Sequence, residues 1–182
     1  RDHVLPFWAK NIRDKDLRTW CAACSTGEEP YTLAMFIDEQ FNLSSGWDTQ
    51  VLATDISNQA LEAAKAGVYS KERIAPLPAD WKHKYFRVLD QHNFAVKDRI
   101  KNNVIYRKFN LVQPTFPFRR KFHVIFCRNV MIYFDMQTKN DLVGKFYEQL
   151  EYGGYLFIGH SESLTRENTK FQYIKPAVYR KV

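Results

Sequence analysis

The chain has 182 residues, 45% of them hydrophobic and 15% aromatic, a composition that excludes a disordered protein and predicts one folded domain. Lys and Arg number 27 against 20 Asp and Glu, and the resulting formal charge of +7 predicts an acidic partner. No apolar run approaches the roughly 18 residues that a membrane-spanning helix requires, so no membrane insertion is expected.

Short apolar runs alternate with helical stripes, which predicts βαβ units and an α/β fold with a doubly wound, mostly parallel sheet. The first strand is predicted over 17–21, and Pro30 suits the first turn of the helix that follows. The second strand is predicted over 50–54. Ser57 then caps a helix that Gly67 stops.

The alternation breaks between Gly67 and Asn103, so 67–103 is predicted to be an inserted small subdomain that contains a hairpin. The remaining predicted elements are strands at 104–109, 121–126 and 155–158, a helix that Asp135 caps and Gly153–Gly154 end, and a C-terminal antiparallel hairpin of 171–174 and 177–180.

Cys21 and Cys24 form a C-x-x-C pair, and Cys127 is the third cysteine. This odd count does not fit a secreted disulfide framework, and zinc ligands at suitable spacing do not accompany the pair. We interpret the pair as small residues at a strand end and predict no metal site. A reducing cytoplasmic location fits these thiols best.

Polar residues follow the predicted strands at the edge of the sheet where ligands bind in doubly wound folds. Asp55 suits the hydroxyls of a ribose, or equally the start of a helix, where the dipole favours a carboxylate. The features that converge at this edge are Glu28–Glu29, Asp55, Asn110 and Arg128–Asn129.

The loop that leads to Glu28 and Glu29 contains one glycine, Gly27, so it matches neither a dinucleotide fingerprint nor a P-loop. Two carboxylates repel phosphate and suit an ammonium group, although they also suit the first turn of a helix. Arg128 is either a site residue or the partner of one of these carboxylates. Tyr133 lies five residues farther on, as a site residue or as packing.

Five stretches of the chain, in this order, resemble motifs of the chemotaxis receptor methyltransferase (CheR) family, C-terminal catalytic domain. They are 21–31, 53–57, 109–111, 125–134 and 159–163. The resemblance implies a methyltransferase that uses S-adenosylmethionine, releases S-adenosylhomocysteine and esterifies glutamate carboxylates on the cytoplasmic helices of chemotaxis receptors.

The resemblance also implies roles for single residues. Tyr133, Arg128 and Arg1 are implied as catalytic residues, with Tyr133 facing the methyl group and Arg1 as the family's arginine near the start of the domain. The implied cofactor residues are Glu29 at the methionine end, Asp55 at the ribose, Asn110 and Leu111 beside the adenine, and Arg128 and Asn129 along the floor.

A general base is not required, because the glutamate acceptor is ionised at neutral pH, with an ordinary pKa of about 4.3. Family members carry a helical N-terminal domain that does not precede Arg1, so we expect 1–182 to be a catalytic domain of a longer protein. The segment 86–96 lacks the glycine of members that bind a receptor's C-terminal pentapeptide. Direct recognition of receptor helices is therefore expected instead of tethering.

Three alternatives remain. A nucleic-acid methyltransferase suits the positive charge, but the Asn/Asp-Pro-Pro-aromatic motif of the amino-methylating class is missing after the fourth strand, so no nucleic-acid partner is expected. A non-catalytic S-adenosylmethionine-binding signalling protein is a second alternative. A Rossmann oxidoreductase is disfavoured because it requires the glycine fingerprint.

Overall fold

The computed structural model describes residues 3–41, 46–165 and 169–182. Its helices are α1 (Val4–Asn11), α2 (Glu28–Phe41), α3 (Asn58–Ala66), α4 (Lys71–Ile74), α5 (Ala79–Tyr85), α6 (Asp98–Lys101) and α7 (Met136–Gln149). Its strands are β1 (Thr19–Ala22), β2 (Val51–Asp55), β3 (Val68–Ser70), β4 (Phe86–Val88), β5 (Asn93–Val96), β6 (Val104–Lys108), β7 (Phe122–Cys127), β8 (Leu150–Ile158), β9 (Gln172–Lys175) and β10 (Val178–Arg180).

Seven strands form the main sheet, in the order β6-β2-β1-β7-β8-β10-β9. The five strands from β6 to β8 pair in parallel, and β10 pairs antiparallel with both β8 and β9. This order confirms the predicted mostly parallel sheet with an antiparallel hairpin at its C-terminal end. It also brings the carboxyl ends of β1, β2, β6 and β7 to one edge.

Both faces of the sheet are buried at its centre, as the alternation of side chains in β1 shows. Cys21 faces a core shared with α1, α2 and α3, whereas Trp20 faces a second core shared with α7. Because neither face meets water, the strands consist of nearly continuous apolar residues. Helices on both faces make the sheet doubly wound, as predicted.

A separate three-stranded antiparallel sheet, in the order β3-β5-β4, lies within the stretch predicted as an insertion. Its helix α5 is anchored to α2, because the Tyr85 hydroxyl lies within hydrogen-bond distance of the carboxylates of Asp38, at 2.9 Å, and Glu39, at 2.6 Å. Arg99 of α6 forms a further ion pair with the buried Asp38. These contacts fix the insertion against α2.

Several predicted boundaries are confirmed by local chemistry. Ser57 accepts a hydrogen bond from the Ala60 N–H at the start of α3, and Gly67 ends that helix with a left-handed φ of 59°. Asp135 caps α7 by accepting from the Thr138 N–H.

The predicted end of α7 at Gly153–Gly154 is wrong. The helix ends at Gln149, and Leu150 already pairs with Phe122 as the first residue of β8. The two glycines lie inside β8, where the pairing with β7 shifts register. Gly153 has a φ of 79°, and a Cβ on Gly154 would lie 2.8 Å from the Glu151 carbonyl oxygen, so both permit an irregular strand.

The helix α1 was not predicted. It packs on the core through Trp8, which is 6% exposed and whose ring lies 4.6 Å from that of His123. Among the described residues, every helix falls short of the length and hydropathy needed to cross a bilayer.

Candidate active site

Asp55 joins the loops that follow β1 and β2. One carboxylate oxygen accepts a hydrogen bond from the Ser25 N–H at 2.8 Å, and the other accepts from the Ser57 N–H at 2.9 Å. The Asp55 carbonyl accepts from the Phe109 N–H at 2.9 Å, which ties in the segment after β6. Each carboxylate oxygen retains a further lone pair, so this half-buried side chain can still accept hydrogen bonds from a ligand.

The loop after β1 turns back sharply at the end of the strand. Ala23, Ser25 and Gly27 all have positive φ angles, of 60°, 49° and 93°. A Cβ on Gly27 would lie 2.8 Å from the Ala64 Cβ, so the close approach to α3 requires glycine. The loop is therefore held against α3 at the carboxyl edge of the sheet.

Glu28 fastens this loop to the inserted sheet. It forms an ion pair with Arg73 of α4 and accepts from the Thr26 hydroxyl at 2.8 Å. Arg73 donates to the same hydroxyl at 2.8 Å, and the Tyr69 hydroxyl donates to the Thr26 carbonyl at 2.8 Å. Glu28 thus supports the loop from the side of the insertion.

Glu29 and Arg128 form an ion pair between the first turn of α2 and the end of β7. A guanidinium nitrogen of Arg128 lies 2.7 Å from one Glu29 oxygen, and the Cys21 thiol donates to the other at 3.2 Å. The structure therefore has the carboxylate pairing that was the alternative interpretation of Arg128. The pair still belongs to the carboxyl edge, where the Arg128 side chain is 38% exposed.

Asn110 and Leu111 follow β6, which pairs with β2. The Asn110 side-chain oxygen accepts from the Val112 N–H at 3.1 Å and so closes a tight turn. Asn110 is exposed, whereas Leu111 is buried against the core under α7. These residues lie at the same edge as Asp55, because the backbone just before them pairs with the Asp55 carbonyl.

Asn129 and Tyr133 lie on the turn after β7, which ends in a 3-10 turn over Met131–Tyr133. Asn129 has a φ of 59°, and Tyr133 is 79% exposed at the edge of the sheet. The buried carboxylate of Glu162 holds this turn by accepting from backbone N–H groups. No role was predicted for Glu162, although it lies in the stretch 159–163 that resembles a family motif, three positions after Gly159.

Arg1 lies outside the described residues, so its predicted role stays a prediction. The other predicted site residues lie at the carboxyl edge. They are Glu29, Asp55, Asn110, Leu111, Arg128, Asn129 and Tyr133.

A cavity of about 500 Å³ opens beside the Glu29–Arg128 pair. Of the predicted site residues within the described part of the chain, these two line it, and Asp55, Asn110 and Leu111 lie outside it. Its walls come from α1, α2 and three strands and include Leu5, Leu33, Phe36, Phe126 and Phe157. The cavity therefore lies behind the ion pair and does not follow the whole row of edge residues.

The cysteines of this region are not nucleophiles. Burial raises the pKa of Cys21 and of Cys127 well above the ordinary value, and the nearby carboxylates add to the effect. Burial and the charge of Asp55 raise the pKa of Cys24 to about 12. All three are free thiols, and the described residues contain no cluster of three His, Cys, Asp or Glu suited to a metal ion.

The side chains at the carboxyl edge indicate which cofactor fits there. Asp55 has free lone pairs for ribose hydroxyls, and Glu29 presents a carboxylate that suits an ammonium group. The loop between them carries two carboxylates and no second glycine, which disfavours a pyrophosphate. These residues fit S-adenosylmethionine, which has ribose and ammonium groups and no phosphate.

Comparison with known proteins gives the same cofactor class. A family described as "CheR methyltransferase, SAM binding domain" matches residues 1–180. The chain is 45% identical over 172 residues to a chemotaxis protein methyltransferase of Borreliella burgdorferi, which covers 94% of the chain and 60% of that protein. A probable chemotaxis protein methyltransferase of Rhizobium etli is 38% identical, with 92% and 63% covered.

The chemotaxis protein methyltransferase of Escherichia coli is 36% identical over 183 residues, covering 97% of the chain and 63% of that protein. The chain thus spans about three fifths of the length of these curated relatives. The match over nearly all of its residues decides the family. The chain belongs to the CheR methyltransferase family and comprises its S-adenosylmethionine-binding domain.

Proposed function

We propose that the chain transfers a methyl group from S-adenosylmethionine to glutamate side chains on the cytoplasmic helices of chemotaxis receptors, forming glutamyl methyl esters. One observation carries the proposal. Two carboxylates, Glu29 and Asp55, share the carboxyl edge of the sheet with the cationic Arg128 and the exposed Tyr133. The names of the relatives support methyl transfer in chemotaxis.

The residues of the carboxyl edge divide into those that would bind the cofactor and those that would bind the acceptor. Glu29 and Asp55 would hold the cofactor by its ammonium group and its ribose, while Asn110, Leu111 and Asn129 would bound the adenine and the floor. Arg128 would attract the glutamate carboxylate of the acceptor, since opposite charges attract strongly where water is partly excluded.

Bound S-adenosylmethionine would supply a methyl group on a positively charged sulfur. S-adenosylhomocysteine, which contains this sulfur, is a good leaving group when the acceptor displaces it. The protein then has only to align the acceptor, and alignment contributes roughly 7–11 kcal/mol in favourable cases. Tyr133 would orient the acceptor through its hydroxyl, which is exposed at the mouth of the site. Because the acceptor carboxylate is already ionised, the reaction requires no general base, and the neutral thiols beside the site need not act as one.

The charge of the chain supports an acidic acceptor. The excess of seven positive charges would attract the acid-bearing helices of a receptor. A substrate of this kind places the protein in the cytoplasm. The expectation that it recognises the receptor helices directly, without tethering through a C-terminal pentapeptide, also remains part of this proposal.

The test is a transfer assay with methyl-labelled cofactor and receptor cytoplasmic fragments. We expect label to enter the fragment and to be released by mild base, as an ester would be. A fragment whose candidate glutamates are changed to alanine is the matched control and should stay unlabelled. Tight binding of S-adenosylhomocysteine without any transfer would reject the proposal and favour a non-catalytic cofactor-binding protein.

A further inference from the structure

We propose that Glu162 is a positioning residue whose buried carboxylate sets the turn after β7 and thereby the placement of Asn129 and Tyr133. The inference rests on the proposed function, because it assigns those two residues to the cofactor floor and the acceptor. It adds a residue that touches neither ligand to the machinery of the site.

The contacts of Glu162 are all with backbone N–H groups. One carboxylate oxygen accepts from Met131 at 2.8 Å and Val130 at 3.1 Å. The other accepts from Gly159 at 2.6 Å and Asn129 at 3.2 Å. Glu162 is 6% exposed, so these donors replace water as the partners of its oxygens.

The turn needs such an acceptor because its backbone is irregular. Asn129 has a φ of 59°, and Val130 has a φ of −123° with a ψ of −35°, so neither residue continues β7 or a helix. The N–H of Met131 is buried and would lack a partner without the carboxylate. An unsatisfied buried donor costs about 1–3 kcal/mol, so loss of Glu162 favours a different path for the turn.

The end of β8 completes the arrangement. A Cβ on Gly159 would lie 2.5 Å from the Asn129 side-chain oxygen and 2.8 Å from a Glu162 oxygen. Glycine at this position therefore lets the carboxylate, the strand end and the Asn129 side chain meet. The three groups form one unit that fixes the turn from behind the sheet edge.

Replacement of Glu162 by glutamine tests the acceptor oxygens at unchanged size, and the same loss of charge elsewhere serves as the control. Glu162→Gln keeps the shape but replaces one acceptor oxygen by an NH₂ donor, which then faces backbone donors. Glu148→Gln makes the same change at an exposed position of α7 and is the matched control. Both are made in the full-length protein, with folding checked by circular dichroism before any other measurement.

The first readout is the affinity for S-adenosylhomocysteine by calorimetry, which needs no methyl acceptor. We expect about tenfold weaker binding for Glu162→Gln, since a shift of the Asn129 floor removes contacts worth about 1.4 kcal/mol, and no change for Glu148→Gln. The second readout is kcat for transfer, which should fall about tenfold as the Tyr133 hydroxyl loses its placement, with a smaller change in KM.

A double-mutant cycle decides whether Glu162 acts through the turn. The loss of kcat caused by Glu162→Gln should shrink in a Tyr133→Phe background, because residues that act as one unit are not additive. Additive losses, or a folded Glu162→Gln protein with wild-type affinity for S-adenosylhomocysteine, would overturn the inference. A change in unfolding temperature alone would show that Glu162 is merely structural.

If Glu162→Gln does not fold, Gly159→Ala takes its place, because it keeps both side chains but separates the Glu162 carboxylate from Asn129. The same two readouts then apply, with the same outcomes for and against. If the wild-type protein transfers no methyl group, the proposed function fails, but the comparison of S-adenosylhomocysteine affinities still decides the role of Glu162.

Discussion

The two edges of the main sheet each carry an arginine in an ion pair, but the two arginines are used differently. At the carboxyl edge, Arg128 pairs with Glu29 through one guanidinium nitrogen, and its side chain is 38% exposed. At the amino edge, Arg18 is 16% exposed and pairs with both Asp16 and Glu151 at 2.9 Å.

The difference separates stability from function. Arg18 also donates through its Nε to the Lys121 carbonyl at 2.5 Å, and the His123 ring accepts from its backbone N–H, with Trp8 packed on that ring. The three guanidinium nitrogens of Arg18 all donate to protein groups, so its charge is not available to a ligand. Within the described part of the chain, Arg128 donates through one guanidinium nitrogen and lines a cavity, so its charge is available to a ligand.

The largest expected effect is at the carboxyl edge. Asp55→Ala removes the acceptor of two loop N–H groups together with the proposed ribose contact. We expect the affinity for S-adenosylhomocysteine to fall about 100-fold, given about 1.5–3 kcal/mol for a hydrogen bond to a charged group. Calorimetry measures it, and a loss under threefold in a folded protein would contradict the placement of the ribose.

Arg18→Met should have its effect at the amino edge and on stability only. Removal of the guanidinium breaks the ion pair with Glu151 and leaves Asp16 paired with Arg120, and we expect the free energy of unfolding to drop by about 2 kcal/mol. Urea unfolding measures the drop. The affinity of the folded variant for S-adenosylhomocysteine should equal that of the wild type, and a weaker affinity would show that the two edges are coupled.

Tyr133→Phe should slow transfer about tenfold through loss of one oriented hydrogen bond to the acceptor. The exposed position of Tyr133 predicts little change in stability or in cofactor affinity. Single-turnover assays and calorimetry separate the two effects. Equal losses of rate and of S-adenosylhomocysteine affinity would place Tyr133 on the cofactor instead of the acceptor.

The smallest effect concerns pH at the amino edge. Burial, followed by the charge of Arg18, lowers the pKa of His123 to about 4, whereas it is about 6.5 in an unfolded chain. Between these values the unfolded state binds the proton and the folded state does not. The free energy of unfolding should therefore fall as the pH drops from about 6.5 towards 4, by about 1 kcal/mol at pH 5.5.

His123→Asn should remove this part of the pH dependence, because asparagine keeps an acceptor but does not titrate. Urea unfolding of both proteins at pH 7.5 and 5.5 measures the difference. Parallel losses in the two proteins would show that other groups cause the acid sensitivity.

Local chemistry explains which elements could be predicted. Ser57, Gly67 and Asp135 set helix ends through contacts within their own helices, so a short window of sequence contains the whole signal. Gly153 and Gly154 misled the prediction because their role is a register shift against β7, which depends on a distant strand.

The candidate site shows the same limit. Asp55 and Glu29 could be placed at the carboxyl edge because each directly follows or precedes a recognisable element, whereas their roles came from the family resemblance. The pairing of Glu29 with Arg128 was only one of two open interpretations, since it joins residues 99 positions apart. Glu162 lies in the stretch 159–163 that resembles a family motif, but its role could not be predicted, because its partners include backbone groups of a turn about 30 residues earlier.

The antiparallel hairpin at the end of the sheet has a consequence for assembly. Although β10 follows β9 in the chain, β10 lies between β8 and β9 in the sheet. Within the described residues, β9 therefore contacts the sheet only through β10. The strand β9 can therefore join the sheet only together with β10 or after it. Until these strands pair, β8 presents a long open edge to which other chains could add. Afterwards the edge of the sheet is β9, a short, fully exposed strand that ends at Lys175, before Pro176. Sheet completion is thus also the step that protects the folding protein from aggregation.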